Sequence, residues 1–419
     1  MSSPLALDLT RLFVSILRGR PRGIERVDLD FAEAALADER MVFGIIAYPW
    51  GPRVLERATV ERLVQAVRLI WAEDQPLYLD GAYLNARNWL TGTPDRKQVA
   101  GRIRRLPGDV AQVIARTGLR RGRRIQALPE RTIYLNAGQV GFAVDRATNW
   151  LKERSDIRVV SFLHDLLPIL SPEWFEARGD DYFAKLLGRM LDRSEMVVVS
   201  TELCGQQLKD YCLRHDRPPP RIEVQPLVPS PALAYREVWD SALAQVPYFV
   251  ICGTIESRKN HLLPLLLWRQ QLAAGRTMPR LIVAGERGWG AAEAQDLLDR
   301  SQALSSHVLE VSGLSSPALM HLIAHSRGLL APSHAEGFGL PIIEALTLGT
   351  PVIASDIAVF RETTGDSATL IDNLDGPAWI EAIGRLTTAP PSPTRSVNRT
   401  YRPARPEGMT RLWEMLGSD

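Results

Sequence analysis

The sequence predicts an α/β protein with two doubly wound parallel sheets. Short, almost continuously apolar runs recur along the chain, as is typical of buried parallel strands. Amphipathic segments separate these runs, and a Pro-rich stretch near 229–246 divides them into two series. The 419 residues suffice for two domains. We therefore expect one domain over 1–235, a second over 246–390, and a tail over 391–419 that packs back on the first domain.

Each series contributes six predicted strands. In the first they are expected at Leu5–Leu9, Val42–Tyr48, Pro76–Leu79, Thr132–Asn136, Arg158–Leu163 and Met196–Ser200. In the second they are expected at Tyr248–Cys252, Leu281–Ala284, Val308–Val311, Gly328–Ala331, Pro351–Ala354 and Ala368–Ile371. The tail carries apolar side chains at helical spacing, namely Met409, Leu412, Trp413 and Leu416.

Composition narrows the class of protein. The chain is 45% hydrophobic and 23% charged, which are ordinary globular values that exclude disorder and collagen-like repeats. Its net charge of +2 argues against a dedicated nucleic-acid binder. Three cysteines without a CxxC or disulfide framework favour a reducing compartment. No apolar run approaches the roughly 20 residues that span a bilayer, and the N-terminus does not resemble a signal peptide. We expect a cytoplasmic protein.

The segment 96–131 is strongly basic, with eleven Lys or Arg against two acidic residues. One interpretation is a solvated loop or helix face. A second is a patch for anionic membrane lipid or for a lipid-pyrophosphate acceptor. Nucleic acid is the least favoured partner because no aromatic residues are interleaved with the charges.

A glycine loop predicts an anion site at 331–346. A strand is expected to end at Ala331, and Gly337 and Gly339 follow it. Pro341 then stands in the first turn of a helix, where its missing N–H costs nothing. Such an arrangement holds phosphate on backbone N–H groups. Glu336 and Glu344 bracket the loop and are expected to line one crevice, where a carboxylate suits the hydroxyls of a ribose. A plain turn with one capping Glu does not explain two glutamates and two glycines.

The segment Cys252–His261 follows the first strand of the second series. Its adjacent cations, Arg258 and Lys259, stand just before a helix and are suited to neutralise a diphosphate leaving group. A merely solvated pair is less attractive, because cations oppose the helix dipole at that end.

Two further patterns imitate metal sites. Asp28 and Asp30 form a DxD, but they fall inside a predicted amphipathic helix, and we expect two solvated carboxylates. His321 and His325 have the spacing of a zinc helix without a matching glutamate or third ligand, so we expect packing or surface roles. No metal is predicted.

Taken together, GTIESRKN and EGFGLPIIEAL, roughly 80 residues apart, closely resemble retaining nucleotide-sugar glycosyltransferases of family 4. SGLSSPALMHL, LLAPS and GTPVIAS resemble the same family. The resemblance covers about 247–385 strongly and the first domain more loosely. It implies a GT-B fold, in which two Rossmann-like domains face each other across a cleft and the second binds the donor.

The resemblance also implies roles for individual residues. Arg258 and Lys259 would bind the donor pyrophosphate, Glu336 would meet the donor sugar's hydroxyls, and Glu344 would hold the ribose. Leu314 would lie beside the base. The other donor-site positions that the family motifs mark are Gly253, Thr254, Gly337, Phe338, Gly339 and Leu340.

In the first domain His164 and Asp165 follow a strand end, where catalytic loops belong. The resemblance favours His164 as a catalytic or sugar-orienting residue and Asp165 as the base for the acceptor hydroxyl. A histidine at this position is otherwise often just a satisfied polar contact. Gly23 falls in a loop that resembles the family's diphosphate loop, although Glu25 replaces a glycine that is common there.

The expected activity is retaining sugar transfer, with GDP-mannose slightly favoured over UDP-sugars as donor. The expected acceptor is a hydroxyl of a polysaccharide or lipid-linked oligosaccharide, such as one of lipopolysaccharide assembly, with peripheral contact to an anionic membrane. No cofactor is expected, because Arg and Lys offset the leaving diphosphate. The alternatives are another GT-B activity, such as an epimerase or phosphorylase, and an inactive sugar-nucleotide-binding scaffold subunit.

Overall fold

The computed structural model describes residues 3–16, 21, 23–71, 75–92, 122–176, 179–227, 229, 239–389, 391, 412–413 and 415–416. Within these ranges the chain forms two separate sheets, which confirms the predicted α/β class. The predicted division at 229–246 stays a prediction, and 230–238 lie outside the described residues.

The first sheet has seven strands in the order β3-β2-β1-β4-β5-β6-β7. They are β1 (Leu5–Asp8), β2 (Val42–Tyr48), β3 (Gly51–Glu56), β4 (Ile133–Asn136), β5 (Arg158–Leu163), β6 (Met196–Val199) and β7 (Arg221–Val224). Every neighbouring pair is parallel except β2 and β3, which form an antiparallel hairpin.

The second sheet has six parallel strands in the order β10-β9-β8-β11-β12-β13. They are β8 (Tyr248–Cys252), β9 (Arg280–Ala284), β10 (Val308–Val311), β11 (Gly328–Ala331), β12 (Val352–Ser355) and β13 (Thr369–Ile371). The order reverses beside β8 and β11, and the crevice beyond their carboxyl ends is where doubly wound folds bind ligands.

Helices flank both sheets. The first half has α1 (Thr10–Ser15), α2 (Gly23–Ala37), α3 (Arg57–Trp71), α4 (Gly81–Thr91), α5 (Val140–Ala143), α6 (Asp145–Thr148), α7 (Leu167–Leu170), α8 (Gly179–Arg193) and α9 (Glu202–Arg214). The second half has α10 (Ser241–Gln245), α11 (Leu262–Ala273), α12 (Ala292–Arg300), α13 (Ser316–His325), α14 (Leu340–Thr347), α15 (Ala358–Thr364) and α16 (Gly376–Thr387).

Side-chain oxygens cap several of these helices and fix where they begin. Asp80 caps α4, Thr201 caps α9 and Ser315 caps α13, and each accepts a hydrogen bond from a backbone N–H of the first turn. Such caps satisfy donors that the helix itself leaves unpaired. The polar residue before each helix therefore sets its boundary.

Eleven of the twelve predicted strands are present to within a residue or two, but the prediction at Pro76–Leu79 is wrong. A 3-10 turn spans Leu77–Leu79 instead. Only Leu77 is buried, whereas Tyr78 and Leu79 are exposed. The apolar run therefore does not face a core on both sides, and Asp80 ends it by capping α4.

The sequence also failed to predict β3 and β7. The Gly-Pro start of β3 is typical of a turn, and β3 runs antiparallel as the last strand of the sheet. The other edge strand, β7, alternates charged with apolar residues and none of its four is fully buried. An edge strand is only partly buried and needs no continuous apolar run. Neither β3 nor β7 therefore shows the apolar run that predicted the other strands.

The described part of the tail contacts the first half of the chain. Trp413 packs edge-on against Phe31 with ring centroids 6.5 Å apart, and the guanidinium of Arg40 lies 5.4 Å from the Trp413 ring. Arg158 donates to the carbonyl of Leu416 over 3.4 Å. Met409 lies outside the described residues.

Most of the basic segment 96–131 lies outside the described residues, which resume at 122. There Arg123 pairs with Val54 of β3 through two backbone hydrogen bonds of 2.9 Å. Among the helices of the described residues, none combines the length and hydrophobicity that a bilayer span requires.

Candidate active site

The candidate site lies where loops from the two sheets meet. His164 and Asp165 follow β5, and Gly337 lies in the loop after β11. A methyl group on Gly337 would come within 2.9 Å of the Asp165 Oδ2 and 3.0 Å of the His164 carbonyl oxygen. The carboxyl edges of the two sheets therefore face each other, and only a glycine fits between the loops.

We expect Gly337→Ala to lower the unfolding temperature, because the added methyl group forces the Asp165 and His164 loop away. Overpacking of this kind costs about 1–3 kcal/mol. Thermal unfolding measures the loss, and small-angle scattering measures the separation of the two halves. The matched control is Gly384→Ala on α16, where a methyl group meets no atom within 4 Å. Equal unfolding temperatures for the two variants would contradict the close approach of the loops.

An ion cluster of Arg258, Lys259 and Glu336 occupies the centre of the site. Arg258 donates from Nη1 to the Glu336 Oε2 over 2.7 Å and from Nη2 to the Glu256 Oε1 over 2.8 Å. Lys259 donates from Nζ to the Glu336 Oε1, which also accepts from the Ser333 hydroxyl over 2.9 Å. Two cations therefore converge on one carboxylate side chain that is only 10% exposed.

The cluster holds Glu336 ionised. Burial alone would raise the pKa of the Glu336 carboxyl, but the charges and hydrogen bonds of Arg258 and Lys259 lower this pKa to about 2. Burial would lower the pKa of Arg258, and the carboxylates of Glu336 and Glu256 raise it well above its usual value. Glu336 and Arg258 are thus charged at neutral pH, and an incoming anion would compete with Glu336 for its partners Arg258 and Lys259.

The helix α14 begins directly behind this cluster. Gly339 precedes it at φ +90°, a left-handed conformation that favours glycine, and a methyl group there would lie 2.8 Å from the Phe360 ring. Pro341 stands in the first turn, as predicted. Glu344 is 1% exposed and pairs with Arg26 of α2 over 3.0 Å. The second predicted carboxylate is therefore paired with a cation from the other half of the chain.

His164 is a neutral imidazole. Its Nε2 lies 2.8 Å from the Ala137 carbonyl oxygen, which can only accept, so Nε2 carries the proton and Nδ1 the lone pair. Burial lowers the pKa of His164 to about 4. Burial also raises the pKa of Asp165, although the nearby charge of Arg258 opposes this shift, and its Oδ1 accepts from the Leu167 N–H over 3.0 Å.

Two predicted residues, Gly253 and Thr254, lie in the turn that follows β8 and precedes Lys259. Gly253 has φ +128°, and its N–H donates to the Ala284 carbonyl over 3.0 Å. A methyl group on it would lie 3.4 Å from the Lys259 Cε, so the bare backbone leaves room for the lysine chain. The carbonyl of Thr254 accepts from the Glu256 N–H over 2.9 Å, which holds this turn in shape.

The remaining predicted residues lie beside the start of α14, in the core, or at the start of α2. Phe338 is buried beside Gly337 and Gly339, and Leu340 is the half-buried first residue of α14. Leu314 packs against the core after Gly313, which has φ +76°. Gly23 begins α2, three residues before Arg26.

The interpretation of Asp28 as a solvated carboxylate is wrong. Asp28 is 2% exposed on α2, and burial, together with the charge of Asp8, raises its pKa well above the usual range. The cause is the approach of α2 to the sheet: a methyl group on Gly138 would lie 3.1 Å from the Asp28 Oδ2. Asp30, two residues on, is only half-buried.

His321 and His325 pack against α4 and the start of α10. The Nδ1 of His321 lies 3.1 Å from the Tyr83 hydroxyl, and the Nε2 of His325 accepts from the Asp240 N–H over 3.1 Å. Their rings contact each other with centroids 4.1 Å apart. Across the ranges that the structure describes, no group of three or more His, Cys, Asp or Glu side chains is placed to hold a metal ion.

Sequence reasoning missed Arg26 and the stacking of Trp174 on His334. The Trp174 and His334 rings are 4.4 Å apart and 9° from parallel, and they join the 3-10 turn Pro172–Trp174, which follows α7, to the loop after β11. Arg26 lies three residues after Gly23, in the segment that resembles the family's diphosphate loop, and that resemblance implies backbone contacts and no side-chain ion pair. Both contacts join residues that are far apart in the sequence, so no local sequence pattern predicts them.

Residues 239–402 match the family model described as "Glycosyl transferases group 1". The serotype-specific mannosyltransferase WbdA of Escherichia coli is 27% identical over 219 residues, which are 49% of this chain and 27% of that protein. O-antigen chain mannosyltransferase B of Escherichia coli is 29% identical over 227 residues, 52% of this chain and 58% of that protein. The match thus spans 27% to 58% of these relatives' lengths.

Among solved structures, Anabaena HepE in complex with UDP and glucose superposes with a TM-score of 0.60. The superposition covers 100% of both chains at 15% sequence identity. At that identity the likeness shows a shared fold.

Proposed function

We propose that this chain, which has the GT-B fold and matches the group 1 glycosyltransferase model over residues 239–402, is a glycosyltransferase that transfers a hexose from a nucleoside-diphosphate sugar to a hydroxyl group of a glycan. The observation that carries the proposal is the convergence of Arg258 and Lys259 on the largely buried side chain of Glu336 in front of α14. This arrangement offers two cations and a helix N-terminus to a diphosphate and a carboxylate to sugar hydroxyls.

The donor takes the place of the internal ion pairs. Its diphosphate accepts from Arg258 and Lys259, which frees the Glu336 carboxylate to accept from hydroxyls of the donor sugar. Glu344 accepts from the ribose hydroxyls in the same way. Buried carboxylates need replacement donors when their cations turn away, and sugar hydroxyls supply them.

We propose that transfer proceeds with retention on the front face of the sugar. The departing phosphate oxygen helps to remove the proton of the acceptor hydroxyl, while Arg258 and Lys259 stabilise the charge that develops on the diphosphate. Neutral His164 keeps the lone pair of Nδ1 to accept from a sugar hydroxyl. Asp165 lies on the same loop as the candidate base for the acceptor hydroxyl.

The proposed donor is a GDP-mannose-type sugar, slightly favoured over UDP-sugars, and the proposed acceptor is a polysaccharide or lipid-linked oligosaccharide. The two Escherichia coli relatives above are named as a serotype-specific mannosyltransferase and an O-antigen chain mannosyltransferase. We also propose a cytoplasmic location with peripheral contact to an anionic membrane, which rests on the basic segment 96–131.

Release of nucleotide from a panel of GDP- and UDP-sugars tests the proposed activity. We expect release from at least one donor, faster when a glycan acceptor is added. No release from any donor would overturn the proposal and favour a binding or scaffold subunit. Product analysis by NMR then reports whether the anomeric configuration is retained.

We expect turnover to be independent of divalent metal, because the charges of Arg258 and Lys259 offset the leaving diphosphate. The measurement compares turnover after dialysis against EDTA with turnover in added Mg²⁺ or Mn²⁺. Similar rates are expected under all three conditions. A loss of activity in EDTA that added metal restores would contradict metal-independent transfer.

A further inference from the structure

A pair of stacked aromatic rings lies at the turn of the β2–β3 hairpin. The rings of Tyr48 and Trp50 have centroids 5.0 Å apart and planes 6° from parallel. Trp50 is 66% exposed, whereas Tyr48 is half-buried and meets the edge of Phe13 with centroids 5.6 Å apart. The hairpin therefore presents an indole ring to solvent, and Tyr48 and Phe13 brace it from the protein side.

The backbone holds this aromatic pair in place. Tyr48 pairs directly with Gly51 in the hairpin, and Gly51 has φ +111°, which disfavours any side chain there. Prolines at 49 and 52 fix their own φ angles on both sides of the turn. The N–H of Ala47 donates to the Thr10 hydroxyl over 3.0 Å, which ties the hairpin to α1. A surface that is already ordered loses little entropy when a ligand binds.

A hydrogen-bond donor stands beside the rings. The Arg53 Nη1 would lie 3.9 Å from a methyl group on Gly51, the cross-strand partner of Tyr48, and it donates to the Pro52 carbonyl over 3.0 Å. A guanidinium carries five N–H donors in a planar fork. The hairpin thus combines a flat aromatic surface with donors at its edge.

A pyranose ring has the complementary chemistry. Its axial C–H groups form an apolar face that suits the negative face of an aromatic ring, and its hydroxyls project around the rim towards polar partners. Trp50 offers the ring face and Arg53 the donors at the rim.

The hairpin lies on the same edge of the sheet as the candidate active site. Because β2, β1, β4 and β5 are parallel neighbours, Tyr48 at the end of β2 and His164 after β5 lie at carboxyl ends. Three strand spacings separate β2 from β5, about 14 Å at about 4.8 Å each. A chain of a few linked hexoses spans such a distance.

We propose that Tyr48, Trp50 and Arg53 form a binding subsite for an internal sugar of the acceptor glycan. The subsite holds the growing chain some residues from its reacting end and so favours longer acceptors over single sugars. The proposal rests on the glycan acceptor of the proposed function.

A membrane surface is the competing partner for an exposed tryptophan. Two observations favour the glycan: the turn around Trp50 is built from Pro and Gly rather than from aliphatic side chains that would enter a bilayer, and the nearby Arg123 is paired with Glu56 over 2.8 Å. The test therefore includes vesicles as a separate arm.

The experiment uses the full chain and compares four proteins: wild type, Trp50→Ala, Trp50→Phe and Met41→Ala. Met41 is 58% exposed at the opposite end of β2, so its variant controls for the loss of an exposed apolar side chain. Calorimetric titrations with mannose and with mannose oligosaccharides of increasing length measure Kd. Flotation with phosphatidylglycerol vesicles measures membrane binding, and unfolding temperatures check that each variant is folded.

We expect wild type to bind longer oligosaccharides more tightly than mannose. Trp50→Ala should raise the Kd of the longer oligosaccharides about tenfold and leave that of mannose unchanged. Trp50→Phe should keep most of the affinity, and Met41→Ala should match wild type. The subsite is overturned if Trp50→Ala binds every oligosaccharide as wild type does, if affinity does not grow with length, or if the variant loses only vesicle binding.

Nucleotide release in the absence of acceptor separates this proposal from the proposed activity. Trp50→Ala should release nucleotide as fast as wild type, because the hairpin is remote from the ion cluster. If no donor is turned over but oligosaccharide binding depends on Trp50, the transferase proposal fails and the subsite stands.

Discussion

Glu336→Gln is expected to reduce turnover about 100-fold or more, the usual scale for removing one group that stabilises a transition state by electrostatics. The carboxylate orients Arg258 and Lys259, and each of its oxygens accepts from one of them. An amide has nearly the same shape but only one acceptor oxygen and no charge. The amide NH2 then faces one of the two cations, and the donor sugar loses the negative charge and one of the two acceptor oxygens.

The matched control is Glu381→Gln on α16. Glu381 also pairs with an arginine, Arg385 over 2.9 Å, but both side chains are well exposed. Steady-state turnover and unfolding temperature are measured for both variants. Wild-type turnover in Glu336→Gln would contradict the assigned site, and an equal loss in Glu381→Gln would show that the effect is not specific to it.

Arg26→Met is expected to destabilise the empty protein and to increase its response to nucleotide. Removing Arg26 leaves the Glu344 carboxylate buried without its guanidinium, and breaking a buried pair in this way costs about 3 kcal/mol. Ribose hydroxyls would compensate that carboxylate. GDP or UDP should therefore raise the unfolding temperature more in Arg26→Met than in wild type.

Two further variants make this prediction specific. Arg26→Met combined with Glu344→Leu should recover much of the lost stability, because no uncompensated charge remains, but should respond poorly to nucleotide. Arg87→Met breaks another ion pair between the two halves, with Asp240 over 2.5 Å, and should leave the nucleotide response unchanged. A smaller nucleotide response in Arg26→Met than in wild type would show that Arg26 binds the nucleotide instead of competing with it.

The fold was predictable from the sequence where burial is continuous along the chain. The runs that form β6 and β8 are apolar over four and five residues, respectively, because both faces of a parallel sheet are covered. By contrast, the hairpin strand β3 begins with Gly and Pro, and edge strand β7 alternates charged with apolar residues. Periodicity reports burial, and edge strands are only partly buried.

The site was predictable where its residues are close in sequence and only partly where they are not. The loop glycines and Glu336 lie within one segment, and so do Arg258 and Lys259, so local motifs mark them. The pairing of Glu344 with Arg26 and the burial of Asp28 arise only when α2 meets α14 and the loop after β4 in the folded chain. A charged side chain on a predicted amphipathic helix is ordinarily solvated, and nothing local distinguishes the exceptions.

The central claim is that Arg258 and Lys259 bind the donor's diphosphate, and nucleotide binding by Lys259→Met tests it most directly. Calorimetric titrations with GDP and UDP compare this variant with wild type and with Lys185→Met, which removes an exposed lysine from α8. We expect wild type and Lys185→Met to bind one of the nucleotides with equal affinity and Lys259→Met to bind it at least about tenfold more weakly. Equal affinity in all three proteins, or no binding of either nucleotide by wild type, would contradict the claim.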